Sequence, residues 1–296
     1  MSIPGVGKYF SRQIIVRYAI ILFYTIFQDK EAKMEPEKIA SICYMMKNAA
    51  MKAGDKLMAG GGQRESGELL LDVLMSGWMD GGYGDVAVWS DTLAMPAMAR
   101  RTETGYALDD FVTGAAGYDG SCFAVSTGGA DHLQRGLFDA GISVAFLRGR
   151  QPLAAVVYDP VHVELFHAIE GLGAYLNGKR IAPSKTRGLA DALVSLDHAA
   201  LRSQEASALR NEAGQIRVAP VAALELCYAA CGRVDVALRR GAAFFDCAAA
   251  LLVAAEAGAA VTDGRGGAFA LKEYGQRCDV AVSAPGLAGD VAGFRD

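Results

Sequence analysis

The stretch that decides the fold reads Phe244-Phe245-Asp246-Cys247-Ala248-Ala249-Ala250 and continues to Glu256-Ala257-Gly258-Ala259-Ala260-Val261-Thr262-Asp263. A carboxylate stands at the start of a predicted helix of small apolar residues, which ends at Gly258 before a short β-like segment. Helix N-termini carry partial positive charge and free N–H groups, so they hold an acid well. Asp246 therefore has two interpretations, a capping residue and an acid that presents its oxygens to a cation or a phosphate site.

The composition indicates a well-buried globular protein. The chain has 296 residues, of which 52% are hydrophobic and 21% charged, and its net charge is −4. This hydrophobic content excludes an intrinsically disordered chain. The negative net charge is not typical of a nucleic-acid-binding protein, so we expect no nucleic-acid partner. The six cysteines form no Cys-x-x-Cys motif, which is typical of reduced thiols in the cytoplasm.

The first part of the chain, residues 1–33, is predicted to be an N-terminal extension. It contains a nearly unbroken apolar run from Tyr18 to Phe27 behind several basic residues. The run is too short to span a bilayer, and no small-x-small cleavage site follows it. We expect a helix that packs on the protein or on a partner. The next alternative is membrane contact by residues 14–27, and the last is a secretion signal.

Hydrophobic spacing predicts the elements of the rest of the chain. A helix is expected from Pro36 to Leu57, and a second, interrupted by Pro96, from Thr92 to Arg101. Three consecutive antiparallel strands are expected at 141–147, 153–158 and 164–170, followed by the hairpin signal Asn177-Gly178. After Pro183 the pattern alternates between strand (190–196, 234–238) and helix (200–214, 222–232 and 246–258).

Several motifs, in this order, resemble those of the inositol monophosphatase family of lithium-sensitive, metal-dependent phosphatases. They are Val156-Val157-Tyr158-Asp159-Pro160, Glu164-Leu165-Phe166, Gly171 to Ile181, Ala222-Ala223-Leu224-Glu225-Leu226, Gly232-Arg233-Val234-Asp235 and the opening motif. The resemblance covers residues 34–62 and 131–296. It implies an α+β fold, a layered αβαβα sandwich, with an antiparallel-sheet N-terminal subdomain (34–184) and an α/β C-terminal subdomain (185–296).

The resemblance also implies Mg²⁺-dependent hydrolysis of phosphate esters. The metal neutralises the phosphate, lowers the pKa of the attacking water and prefers hard oxygen ligands. The family takes these from a Gly-Glu-Glu loop, an Asp-Pro-x-Asp-Gly-Thr loop and the Asp that opens the last helix. Asp246 matches the third ligand, with Phe245 in place of the usual Trp. A cytoplasmic homodimer is the expected form.

The first two metal motifs are not present in standard form. Two alignments are possible for the second motif, Asp-Pro-x-Asp-Gly-Thr. A gapless alignment places Val125 to Ala130 on the Asp-Pro-x-Asp-Gly-Thr loop. Val125 and Gly128 then replace both acids, and Asp131 is the nearest remaining carboxylate.

The other alignment, which we favour, uses Ala116 to Ser121 and needs an insertion that a loop tolerates. It loses one acid and places Glu103 near the Gly-Glu-Glu position. The predicted metal ligands are then Glu103, Asp119 and Asp246, with Asp131 as a further candidate. Glu103 and Ser121 are the predicted catalytic residues, and the Gly120 N–H contacts the phosphate. The simpler alternative is that Asp119-Gly120 is a turn.

The substrate side departs from the family as well. Seven residues before Asp246 the family often has a Glu that contacts substrate hydroxyls, and this chain has Arg239. Arg239 is predicted to bind a second anionic group of the substrate. The alternative is that Arg239 and Arg240 form a solvated basic pair at a strand end.

The favoured function is a Mg²⁺-dependent phosphomonoesterase that acts on a small sugar, cyclitol or nucleotide phosphate. The alternative is a non-hydrolytic homologue with a decayed metal site, acting in ligand binding or regulation. A third hypothesis is a repurposed enzyme in which Asp131 and His132 act as acid–base groups.

Overall fold

The computed structural model describes residues 34–93, 96–103, 105–110, 120–204, 206–263, 266–270 and 277–291. Its helices are α1 (Pro36–Met58), α2 (Gln63–Asp80), α3 (Ala130–Gln134), α4 (His198–Arg202), α5 (Ser207–Glu212), α6 (Ala222–Ala230), α7 (Phe244–Ala257) and α8 (Ala288–Val291). Its strands are β1 (Val86–Ser90), β2 (Ala97–Thr102), β3 (Gly105–Asp110), β4 (Ser121–Gly128), β5 (Gly141–Arg148), β6 (Gln151–Asp159), β7 (Glu164–Ile169), β8 (Gly173–Leu176), β9 (Lys179–Arg180), β10 (Leu193–Leu196), β11 (Gln215–Val218), β12 (Val236–Ala243), β13 (Ala260–Asp263) and β14 (Arg277–Ser283).

These strands form two sheets. The first has nine strands in the order β3-β2-β1-β4-β5-β6-β7-β8-β9, and its pairs are antiparallel except for β1 and β4, which run parallel. The second has five strands in the order β11-β10-β12-β14-β13 and mixes parallel with antiparallel pairs. The chain passes from the first sheet to the second between Arg180 and Leu193.

The helices and sheets alternate in five layers. Helices α1 and α2 pack on the outer face of the first sheet. Helices α6 and α7 lie between the two sheets and contact both. Helices α4 and α8 cover the outer face of the second sheet. One apolar core fills each junction, and α7, built of small residues, supplies much of the central one. The predicted α+β fold, the layered αβαβα sandwich, is confirmed.

Two predicted helices take a different form. The range Thr92 to Arg101, predicted as helix, contains strand β2, because Ala97 to Thr102 pair edge to edge with β1 and β3. The range from Ala200 to Gly214 holds two short helices, α4 and α5. The Met- and Ala-rich composition of the first range favours helix, and sheet pairing overrides that local preference.

The N-terminal extension, residues 1–33, lies outside the described residues, and so does the membrane contact predicted for residues 14–27. Within the described ranges, none of the helices combines the length and the apolar character that crossing a bilayer requires. The predicted division into subdomains 34–184 and 185–296 stays a prediction.

Candidate active site

Asp246 lies in the first turn of α7. The helix begins at Phe244 and its N-cap position is Ala243, so Asp246 is not the capping residue. Its carboxylate accepts a hydrogen bond from the hydroxyl of Ser126, near the end of strand β4. The side chain therefore points across the junction between α7 and the first sheet.

A second acid, Asp91, lies beside Asp246. It follows directly after β1, whose last residue Ser90 pairs with Val125 of the parallel strand β4. Asp91 thus lies opposite Ser126, whose hydroxyl donates a hydrogen bond to Asp246. The carboxyl ends of neighbouring parallel strands meet at one edge of a sheet, which explains why residues far apart in sequence converge here.

Asp91 is held by a set of hydrogen bonds to its Oδ2 atom. The backbone N–H of Thr127 donates at 2.9 Å, and Gln63 Nε2 donates at 3.0 Å. The Thr127 hydroxyl lies 3.3 Å from the same oxygen. These donors fix the position of the Asp91 carboxylate.

Burial and the charge of Asp91 both act on Asp246. Burial, followed by the neighbouring charge of Asp91, raises the pKa of Asp246 to about 6, while the Ser126 hydrogen bond and Arg277 act in the opposite direction. A carboxylate pair with little compensating charge is the electrostatic setting that a bound cation relieves.

Oxygen atoms of the kind that a hard divalent cation takes as ligands converge at this strand end. Two carboxylates with adjacent hydroxyls, those of Ser126 and Thr127, supply the oxygen ligands that Mg²⁺ prefers. The ranges that the structure describes contain no group of three or more His, Cys, Asp or Glu side chains that could hold a metal ion. Val125 and Gly128, which the gapless alignment places at the two acid positions of the Asp-Pro-x-Asp-Gly-Thr loop, lie on the same strand end.

The other predicted metal ligands lie elsewhere. Asp119 is outside the described residues. Glu103 is exposed and follows β2, which runs antiparallel to β1, so Glu103 lies at the end of β1 opposite to Asp91. Asp131 is exposed on α3, just beyond β4. The structure does not bring Glu103 together with Asp246, because the direction of β2 carries it away from the site.

Ser121 and Gly120 lie at the start of β4. Ser121 is five residues before Ser126, which corresponds to about 17 Å along a strand. The Gly120 carbonyl accepts a hydrogen bond from Gly149 N–H at 2.9 Å, beside the β5–β6 turn. The structure thus separates both residues from Asp246. The strand end next to Asp246 holds Val125 to Gly128, which the gapless alignment places on the Asp-Pro-x-Asp-Gly-Thr loop.

Arg239 is buried, with 1% of its surface exposed. Its guanidinium donates to the Ser195 carbonyl at 3.1 Å and to the Ser195 hydroxyl at 2.7 Å, and lies 3.8 Å from a Glu225 oxygen. Glu225 in turn forms an ion pair with Arg217 at 2.8 Å. The alternative of a solvated Arg239–Arg240 pair is wrong for Arg239, because this side chain is buried. Its guanidinium contacts protein groups, whereas the sequence predicted a contact with an anionic group of the substrate.

An exposed groove of about 400 Å³ lies next to this ion network. Its lining includes Arg217, Glu225 and Tyr228. The guanidinium of Arg233 lies 5.1 Å from the centroid of the Tyr228 ring. Exposed apolar residues flank it, with Phe138 exposed to 68% and Val218 to 52%.

Sequence reasoning missed Asp91, Ser126 and Thr127. The available signal was the acid Asp91, two residues after the apolar run Val86 to Trp89, which is typical of a residue at the carboxyl end of a strand. Closely spaced glycines around this run obscured the strand.

Comparison with known proteins identifies relatives of this chain. The family model described as "Inositol monophosphatase family" matches residues 135–292. Nus factor SuhB of Xylella fastidiosa is 35% identical over 147 residues, which cover 47% of this chain and 53% of that protein. Inositol monophosphatase 1 of Solanum lycopersicum is 31% identical over 150 residues, covering 48% and 55%. The chain thus spans about half the length of these curated relatives.

Solved structures match a larger part of the chain. The extragenic suppressor protein suhB of Bartonella henselae has a TM-score of 0.68 at 23% identity, covering 86% of this chain and 97% of that one. Inositol monophosphatase of Anabaena (Nostoc) sp. PCC 7120 has a TM-score of 0.68 at 22% identity, covering 87% and 96%. At these identities the structures demonstrate a shared fold.

Proposed function

Since this chain belongs to the inositol monophosphatase family, we propose that it is a Mg²⁺-dependent phosphomonoesterase with a reduced metal site. Its proposed substrate is a small sugar, cyclitol or nucleotide phosphate. The observation that supports this proposal is the convergence of Asp91 and Asp246 at one edge of the first sheet, where the Ser126 hydroxyl bonds Asp246.

In this proposal each residue has a defined task. A bound Mg²⁺ would neutralise phosphate charge and acidify a water molecule. Asp91 and Asp246 would hold the ion with carboxylate oxygens. Thr127 and Gln63 orient Asp91 through their hydrogen bonds. Ser126 orients Asp246.

The reaction consumes one water molecule. The water oxygen forms a bond to phosphorus, and the ester P–O bond breaks. One proton of the water leaves during attack and the departing alkoxide takes up a proton, so that an alcohol and inorganic phosphate result.

The test is a panel of phosphate esters assayed with Mg²⁺ on the wild type and on three matched acid variants. Asp246→Ala and Asp91→Ala are expected to lose roughly 100-fold or more in kcat/KM, by analogy with other losses of preorganised electrostatic groups. Asp131→Ala removes an exposed carboxylate nearby and is expected to retain activity. Wild-type turnover no higher than that of Asp246→Ala on every ester would exclude the proposal.

The second candidate is a non-hydrolytic member of the family that acts in ligand binding or regulation. Val125 and Gly128, at positions where a larger metal cluster would need acids, favour it. Several relatives carry the name "Nus factor", and a factor role is one form of this candidate. Calorimetry separates the two functions, because Mg²⁺ binding at millimolar or lower concentration contradicts a decayed site.

The repurposed-enzyme hypothesis stays a third proposal. His132 Nδ1 lies 3.5 Å from Asp139 rather than engaging Asp131. Unchanged activity of His132→Ala would remove its main support.

Three further properties are part of the proposal: a cytoplasmic location, no nucleic-acid partner, and a homodimer. The homodimer is supported by the exposed apolar residues beside the groove, Leu137, Phe138, Val163 and Val218. An apolar cluster rimmed by charged side chains is typical of protein–protein contact.

A further inference from the structure

The candidate site has a shortage of positive charge for a phosphate ligand. Asp91 and Asp246 together carry two negative charges, which one divalent ion balances. A phosphomonoester brings about two more negative charges. The described residues contain no group of three or more His, Cys, Asp or Glu side chains that could hold a metal ion. The proposed site is therefore limited to the pair Asp91 and Asp246, and binding the dianion there calls for a further cation from the protein.

Arg277 is positioned to supply it. As the first residue of β14, it pairs with Ala243, the N-cap residue of α7, three positions before Asp246. Its Nη1 donates to the Gly241 carbonyl at 2.7 Å. Its charge also acts directly on the Asp246 carboxylate. The guanidinium therefore lies at the rim of the site and is exposed to solvent.

The local backbone explains this placement. The pairing of β12 with β14 shifts register between Arg239 and Ala242, and Gly241 adopts a φ of +60°. A bulge of this kind bends a strand and redirects its neighbours, and glycine accepts the positive φ without strain. The Gly241 carbonyl that results anchors one end of the Arg277 guanidinium.

We infer that Arg277 binds the phosphate group of the ligand at this site and replaces the charge of a second metal ion. This inference rests on the proposed function. A guanidinium has five N–H donors in a planar fork, so one bond to a carbonyl leaves donors for a bidentate contact with phosphate oxygens. Arg277 thus contributes to ligand affinity, while Asp91 and Asp246 contribute to metal affinity.

A neighbouring arginine offers a matched control. Arg240 lies on β12 and forms an ion pair with Asp279 at 3.5 Å, and its backbone N–H donates to Asp197. Arg240→Gln removes one positive charge from the same region without removing the proposed phosphate contact.

The experiment measures the binding of inorganic phosphate by calorimetry at saturating Mg²⁺, and the binding of Mg²⁺ alone, for four proteins. These are the wild type, Arg277→Gln, Arg277→Lys and Arg240→Gln. Arg277→Gln is expected to raise the Kd for phosphate roughly 10-fold or more, as expected for losing hydrogen bonds to a charged group. Arg277→Lys retains part of the affinity, and Arg240→Gln stays within about twofold.

The Kd for Mg²⁺ is expected to change in the opposite direction to the Kd for phosphate. Removing the Arg277 charge strengthens the field of Asp246, so the Kd for Mg²⁺ falls or stays constant. A misfolded variant would weaken both binding events. Wild-type phosphate affinity in Arg277→Gln overturns the inference and leaves the proposed function intact. A wild type that binds neither Mg²⁺ nor phosphate overturns both.

Discussion

The pKa of Asp246 rises to about 6 because its carboxylate is buried and faces Asp91. The folded protein therefore holds this proton more tightly than the unfolded chain does. Below the unfolded-state pKa both forms are protonated and the folded state keeps its full stability. As the pH rises through about 6 that contribution is lost, so this group makes the free energy of unfolding fall between about pH 4 and pH 6.

Asp246→Asn is expected to abolish this contribution to the pH dependence of the free energy of unfolding. A pKa difference of roughly two units corresponds to at most about 3 kcal/mol. We expect the variant to be about 1–2 kcal/mol more stable than the wild type at pH 8 without Mg²⁺, and equally stable near pH 4. Urea denaturation at a series of pH values measures both quantities.

Asp131→Asn is the control, since Asp131 is exposed on α3. It is expected to change the free energy of unfolding by less than about 0.5 kcal/mol at any pH. An Asp246→Asn variant that is less stable than the wild type at pH 8 would contradict the electrostatic account of this residue.

Single residues of the site differ in how far sequence could identify them. Asp246 is recognisable because a helix, a glycine stop and a strand surround it in one continuous stretch. Asp91 is not recognisable in this way, because its proximity to Asp246 depends on the parallel pairing of β1 with β4. No local pattern encodes a pairing between strands that are separated by two others in the chain.

At the scale of elements, the turn from β4 into α3 depends on one glycine. Gly129 has a φ of +86°, and a Cβ atom there would lie 1.8 Å from the Asp139 carbonyl oxygen. Gly136, in the loop after α3, has a φ of +75° with no atom within 4 Å of its virtual Cβ. The two positions share the left-handed backbone conformation and differ in the space available for a side chain.

Gly129→Ala is therefore expected to cost more than Gly136→Ala. The left-handed conformation alone costs about 1–2 kcal/mol for alanine, and this sets the loss at Gly136. At Gly129 the backbone must also move away from Asp139, which brings the expected loss to about 3 kcal/mol or more. Thermal and chemical denaturation of both variants measures the difference. Equal losses would show that the close contact at Gly129 relaxes freely.

A single carboxylate joins α7 to the β7–β8 turn. Glu256 Oε1 accepts from Gly171 N–H at 2.8 Å, and Oε2 accepts from Gly173 N–H at 2.7 Å. Bonds from backbone N–H groups to a carboxylate are stronger than neutral ones. Without the Glu256 carboxylate, the N–H groups of Gly171 and Gly173 lose these hydrogen-bond acceptors.

Glu256→Ala is expected to lower the free energy of unfolding by about 1–3 kcal/mol. Glu256→Gln keeps the shape and one carbonyl acceptor, so its expected loss is smaller. Urea denaturation ranks the two variants against the wild type. A glutamine variant that loses as much as the alanine variant would show that charge, rather than hydrogen-bond geometry, supports the turn.

The elements themselves were predictable where local pattern and tertiary environment agree. Strands β5, β6 and β7 follow one another as antiparallel neighbours, so their apolar patterns and turns are visible in sequence. Strand β2 was not predictable, because its Met- and Ala-rich stretch becomes a strand through pairing with β1 and β3. The layer order required the family resemblance, since packing of helices between sheets is a property of the whole chain.

At the scale of the whole molecule, the proposed homodimer makes a prediction about surface substitutions. Phe138→Glu or Val218→Glu places a charge in the apolar cluster beside the groove and is expected to yield a monomer. Tyr44→Glu changes a residue that is 76% exposed on α1, in the outer layer, and is expected to leave the dimer intact. Light scattering after size exclusion measures the mass of each variant. A monomeric wild type would exclude the homodimer.

Helix α7 packs against strands β4 to β8 of the first sheet and β12 to β14 of the second, and its residues from Cys247 to Ala254 are buried. Segments enclosed in this way exchange their amide hydrogens through global rather than local opening. Because Asp246 belongs to this helix, a ligand that it holds stabilises the entire fold by RT ln(1 + [L]/Kd). A rise in the melting temperature should therefore report any true ligand of this site, even before its turnover can be assayed.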